Sequence, residues 1–279
     1  MGRVGNLGKA AATLAAGGLG VLGAMKLLDD RHVDTIWRAL EDVPGDERLF
    51  NEGMVADLPD PARRYFLHAI EPGTRLATRV HFGYSGELKP GEGMPWLALA
   101  AEQIVAKERG FVWKATAQKG PLIATAADYY LDGAGRMRVA LFGLLPVISA
   151  SGPDISRSAL GRLLIEGVLL PPALLPGPNL RIEGVDGSRF RVVATLHGYT
   201  TPVTITVDPD GRPTEVTMDR WGNQTEDRGF QPIPYGGRIQ GERTFSGYTV
   251  PGKIDIGWWY GTDRYQEAVR FNLEWAAYR

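Results

Sequence analysis

From Leu76 onward the chain is a succession of short runs rich in β-branched and aromatic residues, cut by clusters of glycine, proline and aspartate. The runs lie near 76–84, 97–107, 111–118, 122–130 and 136–143, and again near 180–186, 189–198, 201–208, 213–220, 242–249, 252–260 and 265–277. Lys89-Pro90-Gly91, Arg109-Gly110, Gly120-Pro121, Asp132-Gly133 and Asp208-Pro209-Asp210-Gly211 supply turn chemistry between them. Consecutive short strands joined by tight turns form antiparallel meanders, because parallel pairing needs a long crossover. A dozen strands exceed what a flat open sheet carries, so the sheet must curl. The expected fold is therefore mainly β (α+β), a large antiparallel curled sheet or half-barrel with a mid-chain helix across it and helices at the N-terminal side.

That mid-chain helix is expected over 155–170, capped by Asp154 or Ser156, with Leu160, Leu163, Leu164 and Val168 on one face and Pro171-Pro172 stopping it. An apolar helix in a curled sheet lies inside or across it, and an apolar cavity remains where the helix does not fill the space. Before the strands, Val33, Ile36, Trp37 and Leu40 recur at helical spacing. Asp60 is placed to cap a helix beginning at Pro61, whose buried stripe is Ala62, Tyr65, Phe66, Ala69 and Ile70, with Arg63, Arg64 and His68 opposite.

Ala10 to Met25 carry no charge, and Arg3 and Lys9 precede them. Ala12, Ala16, Gly20 and Ala24 form a small-residue line along which membrane helices could approach. Residues 1–32 read as a membrane-anchor or export segment, 33–75 as a helical lead-in and 76–279 as the β domain, with membrane contact through residues 10–28. The anchor reading favours an extracytoplasmic domain, with the cytoplasmic side left open. Gly18-Leu19-Gly20-Val21-Leu22-Gly23 matches a dinucleotide fingerprint in letters only. The residues before it form helix, not strand, and no βαβ alternation follows.

Thirty-one basic and 32 acidic residues give a net charge of −1, which offers nothing to polyphosphate, so nucleic acid is not an expected partner. With no cysteine, thiol nucleophiles, disulfides and thiolate metal sites are excluded. His32, His68, His81 and His197 are scattered, without H-x-H or H-E-x-x-H spacing, so neither a metal nor any other cofactor is expected. Gly83-Tyr84-Ser85-Gly86 misses the G-x-S-x-G elbow, and no phosphate-cradling loop is present. No residue is assigned a catalytic role.

Glu166 stands out as a carboxylate in an apolar helix, four residues after Arg162. It reads either as an i, i+4 ion pair or as a group facing the cavity. Asp219-Arg220-Trp221 ends a strand and opens a loop expected to run to Ile239. Phe230, Pro232, Ile233, Pro234 and Tyr235 give that loop an apolar underside, and Gly236-Gly237 a hinge, so it reads as a lid or as cover for a sheet edge. Trp113, Tyr129 and Trp258 or Trp259 are candidates to line the cavity. The expected ligand-binding set is Trp113, Tyr129, Glu166, Arg220, Trp221 and Tyr235, with a lipid-like or other apolar small molecule as ligand. Two other readings stay open: an enzyme using Glu166 and Arg220 as acid–base or anion-binding groups, and an interaction module of the cell envelope.

Leu58-Pro59-Asp60-Pro61-Ala62-Arg63-Arg64-Tyr65-Phe66 resembles the opening of a family of uncharacterised bacterial proteins. So do Gly110-Phe111-Val112-Trp113-Lys114-Ala115, Asp128-Tyr129-Tyr130, and Leu163-Leu164-Ile165-Glu166 leading into Pro172-Ala173-Leu174-Leu175-Pro176. The similarity runs over most of 55–279 and includes Glu166. Leu169-Leu170 stand where that family has an aromatic residue before the proline. The order of elements also resembles the lipoprotein-carrier fold, which implies an incomplete barrel able to hold acyl chains.

Overall fold

The computed structural model describes the secondary structure of residues 2–279 and the side chains of 20–279. The expected strands form. In Gly110–Lys119 (β3), Phe111, Trp113, Ala115 and Ala117 are buried on one face, as a period of two requires. The chain builds β1 (Arg79–Leu88), β2 (Leu97–Ala106), β3, β4 (Leu122–Leu131), β5 (Ala134–Leu141) and β6 (Leu145–Ser151) as one meander. A second comprises β7 (Leu180–Gly184), β8 (Arg189–Leu196), β9 (Tyr199–Val207), β10 (Pro213–Gly222), β11 (Gln231–Phe245), β12 (Tyr248–Trp258) and β13 (Gln266–Tyr278). They join where β1 pairs with β13, giving one 13-stranded antiparallel sheet with β6 and β7 at its edges.

This order dictates where the mid-chain helix goes. The chain leaves the sheet at one edge and re-enters at the other, so the connection must cross the concave face. Helix α3 (Pro153–Ile165) and two short 3-10 turns, Glu166–Leu169 and Pro171–Leu174, make that crossing. Leu160, Leu163, Leu164, Val168, Leu169, Leu170 and Leu174 are all buried beneath it, so apolar side chains fill much of the trough. The α-helix is shorter than expected because Glu166 begins a 3-10 turn ahead of Pro171. Its N-cap is Gly152, at φ 108°, with no side-chain cap. Asp154 instead accepts from Trp221 Nε1 at 2.8 Å, and Ser156 Oγ accepts from the Gly135 amide at 2.9 Å.

The expected loop over 221–239 is corrected. Strand β10 reaches Gly222 and β11 starts at Gln231, leaving only 223–230 between them. Pro232 and Pro234 sit inside the strand because their nitrogens face the side where β12 pairing has not yet begun: that ladder starts at Tyr235↔Trp258. Gly236 and Gly237 are not a hinge. A Cβ on Gly237 would lie 2.3 Å from the Asp255 carbonyl oxygen, so the glycine permits close approach of β12. Strand β6 was missed from the sequence, since Leu145-Pro146-Val147-Ile148 carries a proline and no alternation, and only edge strands tolerate that.

Helix α2 (Asp60–Ala69) buries Ala62, Tyr65, Phe66 and Ala69, with Tyr65 and Phe66 against Phe190 of β8. Pro59, not Asp60, is its N-cap; Asp60 pairs with Arg63 and Arg64 at 2.8 Å. On the convex face lies α1 (Gly2–Glu41), unbroken across the boundary drawn at residue 32. Val33, Ile36 and Leu40 bury themselves on Ile104, Ala106 and Val112, a contact worth on the order of 5 kcal/mol. Asp34–Lys114 at 2.7 Å and Asp29–Arg136 at 3.0 Å fix its course. Among the described residues no helix is long and apolar enough to cross a membrane, so a spanning anchor over 10–28 finds no support there. The side chains of 10–19, on which that expectation and the small-residue line partly rest, lie outside the described residues.

Candidate functional site

The alternation of β2, β3 and β4 puts Gln103, Trp113 and Asp128 in register on the concave face. Arg162 descends on them from α3. Its Nε donates to Glu166 Oε1 at 2.7 Å, Nη1 to Asp128 Oδ2 at 3.2 Å and Nη2 to Gln103 Oε1 at 3.2 Å. The Gln103 amide nitrogen donates to Glu166 Oε2 at 2.5 Å, which closes a ring of three side chains. Gln103 is 1% exposed and is the only fully buried polar side chain among the described residues. The Arg162 guanidinium lies 4.8 Å from the rings of both Phe111 and Trp113. Trp113 donates to the Tyr84 hydroxyl at 2.6 Å, and Tyr84 packs edge-on against Phe271 of β13.

A second arginine comes from the other half of the sheet. Arg220 donates through Nε to the Ser158 carbonyl at 3.2 Å. Its guanidinium stacks on Tyr235 at 4.8 Å and Trp258 at 5.0 Å. Gly161 makes room for it, since a Cβ there would sit 3.2 Å from Arg220 Cγ. Arg220 forms no salt bridge among the described residues. Removal from water lowers its pKa from the usual value.

Withdrawal from water pushes Asp128 up to about 6, against the pull of Arg162 and Arg220 and reinforced by Glu166. Its Oδ1 is buried without a hydrogen-bond partner among the described residues. Burial likewise raises Tyr84 and Tyr235, so both phenols stay neutral donors. The cluster is not sealed: the side chains of Arg162, Asp128 and Glu166 keep 15%, 19% and 21% of their surface. Two arginines, two carboxylates and several aromatic rings thus meet on the concave face beneath α3, with part of their surface still open.

Of the six residues expected from the sequence, Trp113, Glu166, Arg220 and Tyr235 come together here. Tyr129 does not: it alternates with Asp128 and faces α1, where its hydroxyl meets His32 Nε2 at 3.0 Å. Trp221 lies beyond the cluster beside the start of α3, stacked under Arg157 at 3.8 Å. Asp128, Gln103, Tyr84 and Phe271 were not singled out; strand parity with Trp113 is the signal that carries the first two. His68 and His81 face Glu242 and Glu102 at 2.9 and 2.7 Å. Open space also exists on the convex face, about 800 Å³ between α1 and the sheet. Asp29, Asp34 and Lys114 on its walls are already ion-paired, and Glu102 faces His81.

The molecule is, by architecture, an antiparallel half-barrel whose crossover helix lies over a polar centre. The chain belongs to the family of unknown function DUF6544, whose model matches residues 48–270. No curated protein matches it. Solved structures similar to it include a LolA superfamily protein from Nitrosomonas europaea, at 9% identity and a TM-score of 0.40, covering 78% of this chain and 92% of that one. Another is a putative outer membrane lipoprotein-sorting protein domain from Vibrio parahaemolyticus, at 10% identity and 0.39, covering 72% and 85%. A DUF1329 family protein from Desulfovibrio piger gives 9% and 0.39, covering 72% and 86%. At these scores the three bear on neither ligand nor activity.

Proposed function

We propose that the protein binds an amphipathic anion, a lipid-like molecule with a carboxylate or phosphate head, on its concave face. The observation that carries this reading is Arg220: a half-buried guanidinium framed by Tyr235 and Trp258, without a salt-bridged carboxylate among the described residues. A charge held in that setting without a salt bridge costs stability, and a bound anion repays it. Trp113, Tyr84 and Phe271 supply apolar wall for the chain. Uncharged residues 10–25 give the protein contact with a bilayer from which such a ligand comes. The reading sets the domain on the extracytoplasmic side of that membrane, with which a cysteine-free chain is compatible.

Native mass spectrometry with solvent extraction of the purified chain tests it. A co-purifying or added fatty acid or phospholipid that is retained by wild type and lost in Arg220→Met supports the proposal. Protein that stays empty with added lipid overturns it. A second reading rests on Asp128, whose raised pKa and unpartnered Oδ1 suit proton transfer beside an arginine-held substrate. Turnover of a bound ester or phosphoester, abolished in Asp128→Asn with binding retained, would favour it.

A further inference from the structure

One end of the sheet is unusually apolar. The turns β1–β2, β3–β4, β5–β6 and β12–β13 share that end by register: Leu88 faces both Leu97 and Val269, Lys119 faces Leu122, and Leu141 faces Leu145. At these tips Met94, Leu122, Phe142, Leu145 and Tyr265 are 52%, 42%, 58%, 46% and 40% exposed. Phe142 stands in the left-handed region at φ 52°, followed by Gly143 at φ 70°, at the tip of the tight β5–β6 turn. Cations accompany aromatic rings on the same rim: Lys89 lies 5.8 Å and Arg270 4.3 Å from Trp96, and Arg264 lies 4.2 Å from Trp259. Glu92 and Asp263 are interspersed, so apolar area, not net charge, distinguishes the rim.

Helix α1 meets the sheet at this same end. Lys26 lies against Gly143 of the β5–β6 turn; Met25 beside it and Val21, one turn further toward the N-terminus, are 55% and 60% exposed. These two residues close the uncharged run Ala10–Met25. The exposed hairpin tips therefore adjoin exposed Val21 and Met25 of α1, and rings beside cations suit the boundary between headgroups and acyl chains.

We propose that this rim, together with α1 where it passes the β5–β6 turn, is the face by which the domain lies on a lipid bilayer. The inference deepens the preceding reading by naming the surface of contact, and it stands or falls separately from the Arg220 site. Full-length protein is floated with vesicles of phosphatidylethanolamine and phosphatidylglycerol. Phe142→Asp and Leu122→Asp are each expected to weaken partitioning about tenfold, and the triple variant with Leu145→Asp to abolish it. Val185→Asp, in the β7–β8 turn at the opposite end, is the control and should change nothing. Circular dichroism confirms that the variants fold, and these exposed sites leave the core untouched. Wild type that does not float, a triple variant that floats like wild type, or an equal loss in Val185→Asp overturns the inference. So does a change of oligomeric state at the rim variants without loss of vesicle binding, which makes the face a contact between copies. Rim variants keep any ligand seen by mass spectrometry, and Arg220→Met still floats, so failure of one reading is distinguishable from failure of the other.

Discussion

Arg162, in the last turn of α3, and Glu166, which opens the 3-10 turn after it, meet at 2.7 Å over the buried amide of Gln103, which bonds both. An i, i+4 pair on a solvated helix contributes a few tenths of a kcal/mol. Here the partners keep only 15% and 21% of their side-chain surface, so each depends on the other for charge compensation. Arg162→Ala leaves Asp128 and Glu166 without their cation and should cost about 2 kcal/mol or more in urea unfolding, while Glu166→Gln, which can still accept from Arg162, should cost clearly less. Equal small losses in both would show the ring to be solvated.

Gln103→Leu keeps volume but removes a donor from Glu166 and an acceptor from Arg162. Two half-buried polar groups are then unsatisfied, and about 2 kcal/mol of stability should be lost. Gln103→Glu should be worse at neutral pH than at low pH, because it sets a carboxylate against Glu166 at 2.5 Å. Urea melts at two pH values check this.

Asp128 gives a pH dependence whose sign follows from its raised pKa. Between about 4 and 6 the folded protein holds a proton on Asp128 that the unfolded chain has released. Its contribution therefore favours folding at low pH and is lost as pH rises through 6. Asp128→Asn should flatten the stability profile over that window and raise stability near pH 8 by on the order of 1 kcal/mol. With all four groups ionised, Arg162 and Arg220 balance Asp128 and Glu166; with Asp128 protonated the cluster carries +1. Anionic ligand affinity should thus rise as pH falls through 6, and the Asn variant should lose that dependence in calorimetric titrations.

Gly237→Ala distinguishes a hinge from a close strand contact. A hinge tolerates alanine, whereas here the added Cβ meets the Asp255 oxygen at 2.3 Å. A loss of 2 kcal/mol or more is expected from the forced separation of β11 and β12, read as a lower thermal midpoint.

The strands were legible wherever alternation and turn residues coincided, as in Phe111-Val112-Trp113 after Arg109-Gly110. Reading failed where local signals conflict with pairing. Pro232 and Pro234 look like loop until β12 is known to be absent from their nitrogen side. Tyr129 and Asp128 are equally prominent in the sequence, and only the side of the sheet that α3 occupies decides which of the two faces Arg162.

By itself, then, the sequence determined an antiparallel curled sheet, an apolar mid-chain helix and the exclusion of thiol and motif-borne chemistries. Those depend on period, turn geometry and residue inventory, all of them local. The tertiary structure decided that β1 pairs with β13, that the crossover consequently spans the concave face, and that Gln103, Asp128, Arg162 and Arg220 meet beneath it. Residues 59 positions apart, such as Gln103 and Arg162, are brought to 3.2 Å by strand register and helix placement. Neither leaves a trace in local pattern, because both are set by the burial of apolar surface across the whole sheet.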